Sequence, residues 1–234
     1  MAVRTEELAK TIDHTLLDPD AAREEVEHLC GQARELHVAS VCVLPDHVPP
    51  AAEALRGSDV KVCAVVGFPN GAAAPTTKIR VAEKALADGA GELEFVMNVL
   101  ALKRGDIRLV RDELVSFART IRMKTANGGR GAVVLKAVIG TPQLEDKLAQ
   151  LACCIVERAE IDFAQTSIGH GAEMPSIHEV ELLREALSER VGVKASGRIE
   201  TIEDVQAMVN AGAGRIGSAF AIDLLSASPA LARA

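Results

Sequence analysis

The 234-residue sequence predicts a closed (β/α)8 barrel forming a single domain over residues 1–234. Three observations lead there. A short β-branched run followed by a helical segment recurs about eight times at even spacing, with no Pro/Ser-rich linker between repeats. The chain is 48% apolar yet holds only five Phe and no Trp or Tyr, so its core is Ala, Val, Leu and Ile, which suits parallel strands covered by helices. Repeated β-then-α units require right-handed crossovers, and the glycine-rich first turn of a dinucleotide-binding open sheet is missing, which leaves a doubly wound sheet as the runner-up.

The elements follow in order. Glu6 to Lys10 opens with a short helix, and Ile12 to Thr15 is the first strand. Asp20 is placed to cap a helix from about Ala21 to Leu36, with Val26, Leu29 and Cys30 on one face. Val38 to Leu44 is a strand stopped by Pro45, and Pro49 to Leu55 is a helix with proline in its first turn. Val60 to Val66 is a strand, and Gly67-Phe68-Pro69-Asn70-Gly71 makes a loop at the barrel mouth. Thr76 to Asp88 is a helix stopped by Gly89. Leu93 to Met97 is a strand, Asp106 to Ala126 a long helix, and Asn127 to Gly131 the loop after it. Val133 to Ile139 and Ile161 to Thr166 are strands flanking a helix from Leu144 to Ala159. A glycine loop from Ser167 to Gly171 leads to a helix from Ser176 to Glu189. Val191 to Ala195 is the seventh strand, Ile202 to Ala211 a helix, Arg215 to Gly217 the last strand, and Ala219 to Leu225 a closing helix.

The formal charge of −7, without a Lys/Arg run, argues against nucleic acid. The N-terminus has no hydrophobic signal region and no apolar run reaches spanning length, so no membrane partner is expected. Five cysteines without CxxC spacing read as reduced core thiols of a cytoplasmic protein. The six histidines lack metal-ligand spacing, so neither metal nor cofactor is expected.

Barrel strands are apolar, yet Glu94, Lys136 and Lys194 stand in strand middles, with Gln165 at the matching place. They fall on the fourth, fifth, seventh and sixth strands. Active sites of such barrels lie at the C-terminal strand ends, and neighbouring inward side chains can touch. A buried ion-pair network is one reading. The other is an amine nucleophile, because two nearby ammonium groups repel and one loses its proton more easily.

Several stretches together resemble the deoxyribose-phosphate aldolase family, class I aldolases built on this barrel. They are Ile12-Asp13-His14-Thr15-Leu16-Leu17, Val41-Cys42-Val43-Leu44-Pro45, Val66 to Gly71, Asp162 to Gly169, Val191 to Thr201 and Arg215-Ile216-Gly217. They run in the family's order across nearly the whole chain. The family's sixth strand reads Asp-Phe-Val-Lys-Thr-Ser-Thr-Gly, and its lysine forms the Schiff base. Here the stretch is Asp162-Phe163-Ala164-Gln165-Thr166-Ser167-Ile168-Gly169, and an amide cannot form an imine. The family's strand-four aspartate is Glu94, its Ser-Gly-Gly phosphate cradle is Ser196-Gly197-Arg198, and its last serine pair is Ser218-Ala219. Lys194 keeps the place of the family's second lysine, while a lysine absent at 165 is present on the adjacent strand at 136.

The resemblance implies aldol or retro-aldol chemistry on a small carbonyl substrate, with the amine relocated to Lys136 or Lys194. Glu94 would pair with one amine and move protons, Gln165 would hydrogen-bond the substrate oxygen, and Asp13 is a further implied catalytic residue. Thr15, Cys42, Thr166, Ser167, Gly169, Ser196, Gly197, Arg198, Gly217 and Ser218 are the implied substrate contacts. His14 reads as structural, while His170 in the glycine loop stands either at the substrate or in solvent. A homodimer is also implied. Two other readings stay open: a non-catalytic relative that binds a metabolite or protein, and a conventional deoxyribose-phosphate aldolase working through Lys194.

Overall fold

Eight parallel strands close on themselves in chain order, β1 pairing with both β2 and β8. The computed structural model describes residues 5–127, 132–168, 174–220 and 225. The strands are β1 (Ile12–Leu16), β2 (Ser40–Val43), β3 (Lys61–Val66), β4 (Glu92–Val96), β5 (Val134–Val138), β6 (Phe163–Gln165), β7 (Gly192–Ser196) and β8 (Arg215–Ser218). The helices are α1 (Thr5–Ala9), α2 (Arg23–Glu35), α3 (Val48–Ala54), α4 (Pro75–Asp88), α5 (Val99–Lys103), α6 (Ile107–Asn127), α7 (Asp146–Arg158), α8 (Ile177–Ala186) and α9 (Ile202–Asn210).

The expected elements are present, with instructive differences. α2 starts at Arg23 rather than Ala21. Glu25 reaches back to the backbone N–H of Ala22 at 2.7 Å, while Asp18 holds Asp20 in a tight turn, so Asp20 is no cap. α5 was not expected; it is only five residues long, and Asn98 caps it by accepting from Ala101 N–H at 3.0 Å. Asn127 ends α6 rather than starting a loop, and 128–131 lie outside the described residues. Ala219 and Phe220 are not helical, and 221–224 of the expected closing helix are also outside the described residues. Cys154 is exposed although Cys30, Cys42, Cys63 and Cys153 are buried. On α7, Cys153 faces the barrel and the next residue, a hundred degrees round the helix, turns to water.

Side chains alternate across each strand, which makes two cores. Leu93, Phe95, Leu135, Val193 and Ile216 face outward into the large layer under the helices. There Phe95 meets Phe117 of α6 with ring centroids 4.6 Å apart. Lys78 of α4 is buried in the same layer; its Nζ lies 3.0 Å from Glu113 Oε1 of α6 and donates to Val96 O at 3.0 Å. That link pins two helices to the C-terminal end of β4. The inner apolar cluster is small: Leu17, Cys42, Cys63, Val65, Val96 and Val138, with Leu44, Phe68 and Ile168 packed against it. It sits toward the C-terminal strand ends. The loop after β3 closes tightly over this end, since Gly71 has a φ of 72° and a Cβ there would lie 2.1 Å from Met97 O.

Candidate active site

The inward positions of β1, β4, β5, β7 and β8 bring six charged side chains together: Asp13, Glu92, Glu94, Lys136, Lys194 and Arg215. Three carboxylates face three cations, so the buried set is neutral in sum. Asp13 is the hub. Its Oδ2 lies 2.5 Å from Lys136 Nζ and 2.8 Å from Lys194 Nζ. Its Oδ1 accepts from Arg215 Nη1 and, at 2.6 Å, from Ser40 Oγ. Lys136 also lies 2.7 Å from Glu92 Oε2 and 3.5 Å from Glu94 Oε1. Arg215 Nη2 donates to Glu92 Oε1 at 3.1 Å. Lys194 donates to Glu94 Oε1. Glu94 therefore has fewer ionic partners than Asp13, an asymmetry that matters for proton transfer.

Desolvating an ion costs several kcal/mol, which only close pairing offsets. Burial alone would push Asp13 upward, but Lys136, Lys194 and Arg215 outweigh it and hold the carboxyl well below its ordinary range. Glu94 is likewise lowered, burial being overcome by Lys194 and Lys136. Burial opposes charge on Lys136 too, yet Asp13, Cys63, Glu92 and Glu94 raise it well above an ordinary lysine. Lys194 is raised against burial by Asp13 and Glu94, although Lys136 pulls the other way. The expected depression of one amine by its neighbour does not occur, because Asp13 Oδ2 stands within 2.8 Å of both. At rest both amines are ammonium ions shut off from solvent.

Lys136 pairs with Phe163, whereas Lys194 pairs with Gln165, two residues farther along β6. Pairing in a closed, tilted barrel drops by about one residue per strand, so this offset over two strands brings the two lysines to the same level, where both reach Asp13 Oδ2. Space for the Lys194 stem comes from Gly217, where a Cβ would lie 2.8 Å from Lys194 Cε and 2.4 Å from Ser196 Oγ. Gln165 is fully buried, its Nε2 donating to Ser167 O at 2.6 Å. Among the described residues its Oε1 has no hydrogen-bond partner, and one amide hydrogen is left over.

The remaining expected residues divide. Thr166 Oγ1 donates to Ser196 O at 3.3 Å and accepts from Ser196 N–H at 3.1 Å, and Ser167 Oγ donates to Ser196 O at 2.5 Å, so both hydroxyls brace β6 against β7. Thr15 Oγ1 donates to Asp13 O at 3.0 Å, and Ser218 Oγ to Ile199 O at 2.7 Å. Gly197 lies beside Gly217, its N–H donating to Gly217 O at 3.4 Å. Arg198 does not fill the barrel; its side chain is 70% exposed and pairs with Glu200 at 2.5 Å. Gly169 and His170 lie outside the described residues. His14 faces away from the ions, 3.3 Å from Gln32 Oε1, and burial lowers its pKa. Cys42 is buried beside Cys63, and these two thiols and Glu94 have ligand atoms within 4.8 Å of one another.

Glu92, Arg215, Ser40 and Cys63 were not singled out from the sequence. The signal was available for three of them. Glu92 stands two residues before Glu94, Ser40 two before Cys42 and Arg215 two before Gly217, and strand alternation puts each pair on one face. Cys63 had no such neighbour.

No family profile matches the chain. Individual relatives do. The chain is 40% identical over 218 residues to a deoxyribose-phosphate aldolase of Caldanaerobacter subterraneus subsp. tengcongensis, covering 93% of this chain and 92% of the relative. It is 41% identical over 221 residues to deoxyribose-phosphate aldolase 1 of Bacillus licheniformis, covering 94% and 96%. Among solved structures, one described as an aldolase superposes with a TM-score of 0.85 at 33% identity, covering 94% of each chain. A deoxyribose phosphate aldolase from Aeropyrum pernix, described as a unique tetramer, superposes with a TM-score of 0.84 at 29% identity, covering 95% of this chain and 91% of the other. Among the described residues no helix is long and apolar enough to cross a membrane.

Proposed function

The chain belongs to the deoxyribose-phosphate aldolase family, and from that premise we propose that it is an aldolase-type lyase acting on a small β-hydroxy carbonyl compound through Lys194. Deoxyribose phosphate is the first substrate to test, because the relatives carry that name. The observation that carries the assignment is the Lys194–Glu94 contact next to Gln165, the register partner of Lys194, whose Oε1 has no hydrogen-bond partner among the described residues. Gln165 itself forms no imine, since its nitrogen lone pair is delocalised.

The chemistry begins when the substrate displaces part of the ion network and the Lys194 ammonium passes a proton to Glu94, the carboxylate with fewer competing cations than Asp13. The freed amine adds to the substrate carbonyl, and Glu94 gives its proton to the departing water as the iminium forms. Breaking the carbon–carbon bond sends its electron pair into the iminium, while the β-hydroxyl gives its proton to the Glu94 carboxylate and becomes the released aldehyde. Glu94 returns a proton to the enamine carbon, and water releases the second carbonyl product. Lys136, level with Lys194 and held between Asp13 and Glu92, stays an ammonium whose charge opposes that of Lys194. Gln165 offers an acceptor and one hydrogen to the substrate's oxygens. Arg198, exposed near the mouth, is a charge available to a substrate phosphate.

One observation favours a second reading, a non-catalytic binder. Both amines are fully charge-paired and closed to solvent, so an imine requires the substrate to displace part of the network. The deciding experiment is cleavage of 2-deoxyribose 5-phosphate together with borohydride trapping on an aldehyde panel and peptide mapping. Turnover with an adduct on Lys194 supports the proposal. An adduct on Lys136 reassigns the amine, and a silent panel with intact binding selects the second reading.

A further inference from the structure

Cys42 and Cys63 are direct register partners on β2 and β3, both facing inward and both fully buried. Cys63 Sγ lies 3.7 Å from Glu94 Oε1, and the donor atoms of all three residues lie within 4.8 Å of one another. We propose that Cys42, Cys63 and Glu94 form a binding site for a thiophilic divalent cation, of the zinc or cadmium type, inside the barrel. The proposal is independent of which lysine, if any, forms an imine.

The dimensions suit such an ion. A cation bonded to two sulfurs at about 2.3 Å holds them no more than about 4.6 Å apart, and a carboxylate oxygen completes the set at about 2.0–2.2 Å. Two thiolates and one carboxylate select a soft or borderline metal over magnesium or calcium. The electrostatics also suit it. The three carboxylates and three cations already balance, so any added ion has to arrive without net charge. A divalent cation that displaces the two thiol protons does this: M2+ plus two R–SH gives the dithiolate complex and two H+. Lys136 Nζ, 3.7 Å from Cys63 Sγ, favours the thiolate form further. Burial works against it and holds the free Cys63 thiol protonated, so the site takes its ion only with proton release.

Because Glu94 Oε1 is also the acceptor for Lys194, an ion here competes with that ammonium for one oxygen. Metal occupancy and the state of Lys194 are therefore coupled. The sequence hides the site, since its ligands come from three strands and show no motif spacing.

The test is cadmium titration of the reduced, full-length protein, read by the cadmium–thiolate charge-transfer band in the ultraviolet. Near-isosteric serine variants C42S and C63S are compared with C154S, which removes the exposed thiol. The expected result is a single tight equivalent retained in C154S. In C42S and C63S its affinity falls by more than about 100-fold, beyond the 10–100-fold that a supporting group contributes. Glu94→Gln weakens binding but keeps the band, and affinity rises with pH as two protons leave. No band, a band lost in C154S, or a band unchanged in C42S or C63S would overturn the proposal. An unchanged affinity in Glu94→Gln overturns the three-residue ligand set. Circular dichroism without metal confirms that each variant is folded.

Discussion

Asp13 and Lys136 stand on β1 and β5, diametrically opposite in an eight-stranded barrel, and their side chains meet at 2.5 Å. The same Asp13 oxygen lies 2.8 Å from Lys194, and its other oxygen takes Arg215 and Ser40. One short acid thus ties together strands from across the barrel.

Removing that charge leaves three cations sharing two carboxylates. Breaking a buried ionic network by deleting one member costs about 3–5 kcal/mol. Asp13→Asn is expected to lose about that much stability in urea unfolding. The Asp13→Asn/Lys136→Met double variant should recover part of it, because charge balance returns. A double variant no better than the sum of its single changes would refute the hub role.

The pH window of this contribution follows from the directions of the shifts. Asp13 and Glu94 titrate below their ordinary 3.8 and 4.5, so their contribution is complete above those values and is lost as pH falls through the lower folded-state values. Lys136 and Lys194 titrate above the ordinary 10.5, so theirs is complete below 10.5 and is lost as pH rises through the raised folded-state values. The stability gap between the wild type and the double variant should stay flat from about pH 5 to about pH 10 and shrink outside it. A gap that varies inside that range would mean other groups set it.

Gln165→Lys places an amine in register with Lys194, and Asp13 and Glu94 are already engaged by the native cations. A buried ammonium beside another without its own carboxylate has a depressed pKa and becomes nucleophilic near neutrality. Borohydride trapping with an aldehyde is expected to label position 165 of this variant at pH 7. Labelling confined to Lys194 would show that the native amine is the more reactive.

Gly217→Ala tests how tightly Lys194 is held. The new methyl would meet Ser196 Oγ at 2.4 Å and Lys194 Cε at 2.8 Å. Overpacking of this kind costs about 1–3 kcal/mol. Trapping at Lys194 should fall by about tenfold or more if the displacement moves the amine from Glu94 by even 1.4 kcal/mol of lost positioning. Unchanged trapping with lowered stability would place the strain elsewhere.

The barrel itself was written in the sequence. Alternating strand and helix segments with a nearly aromatic-free apolar core permit few architectures, and local patterning suffices to find β1 through β8 within a few residues. Glu94, Lys136, Gln165 and Lys194 were visible for the same reason, as polar residues breaking apolar strands. What patterning could not supply was their pairing. Whether two buried ammonium groups repel each other or share a carboxylate depends on distances across the barrel, and Asp13 is 123 residues from Lys136 and far along the chain from Lys194. Only closure of the sheet puts that acid between them, which turns the expected lowering of an amine pKa into a rise. Coulomb energy depends on separation in space, and the chain fixes separation only along itself until tertiary packing folds the two into one geometry.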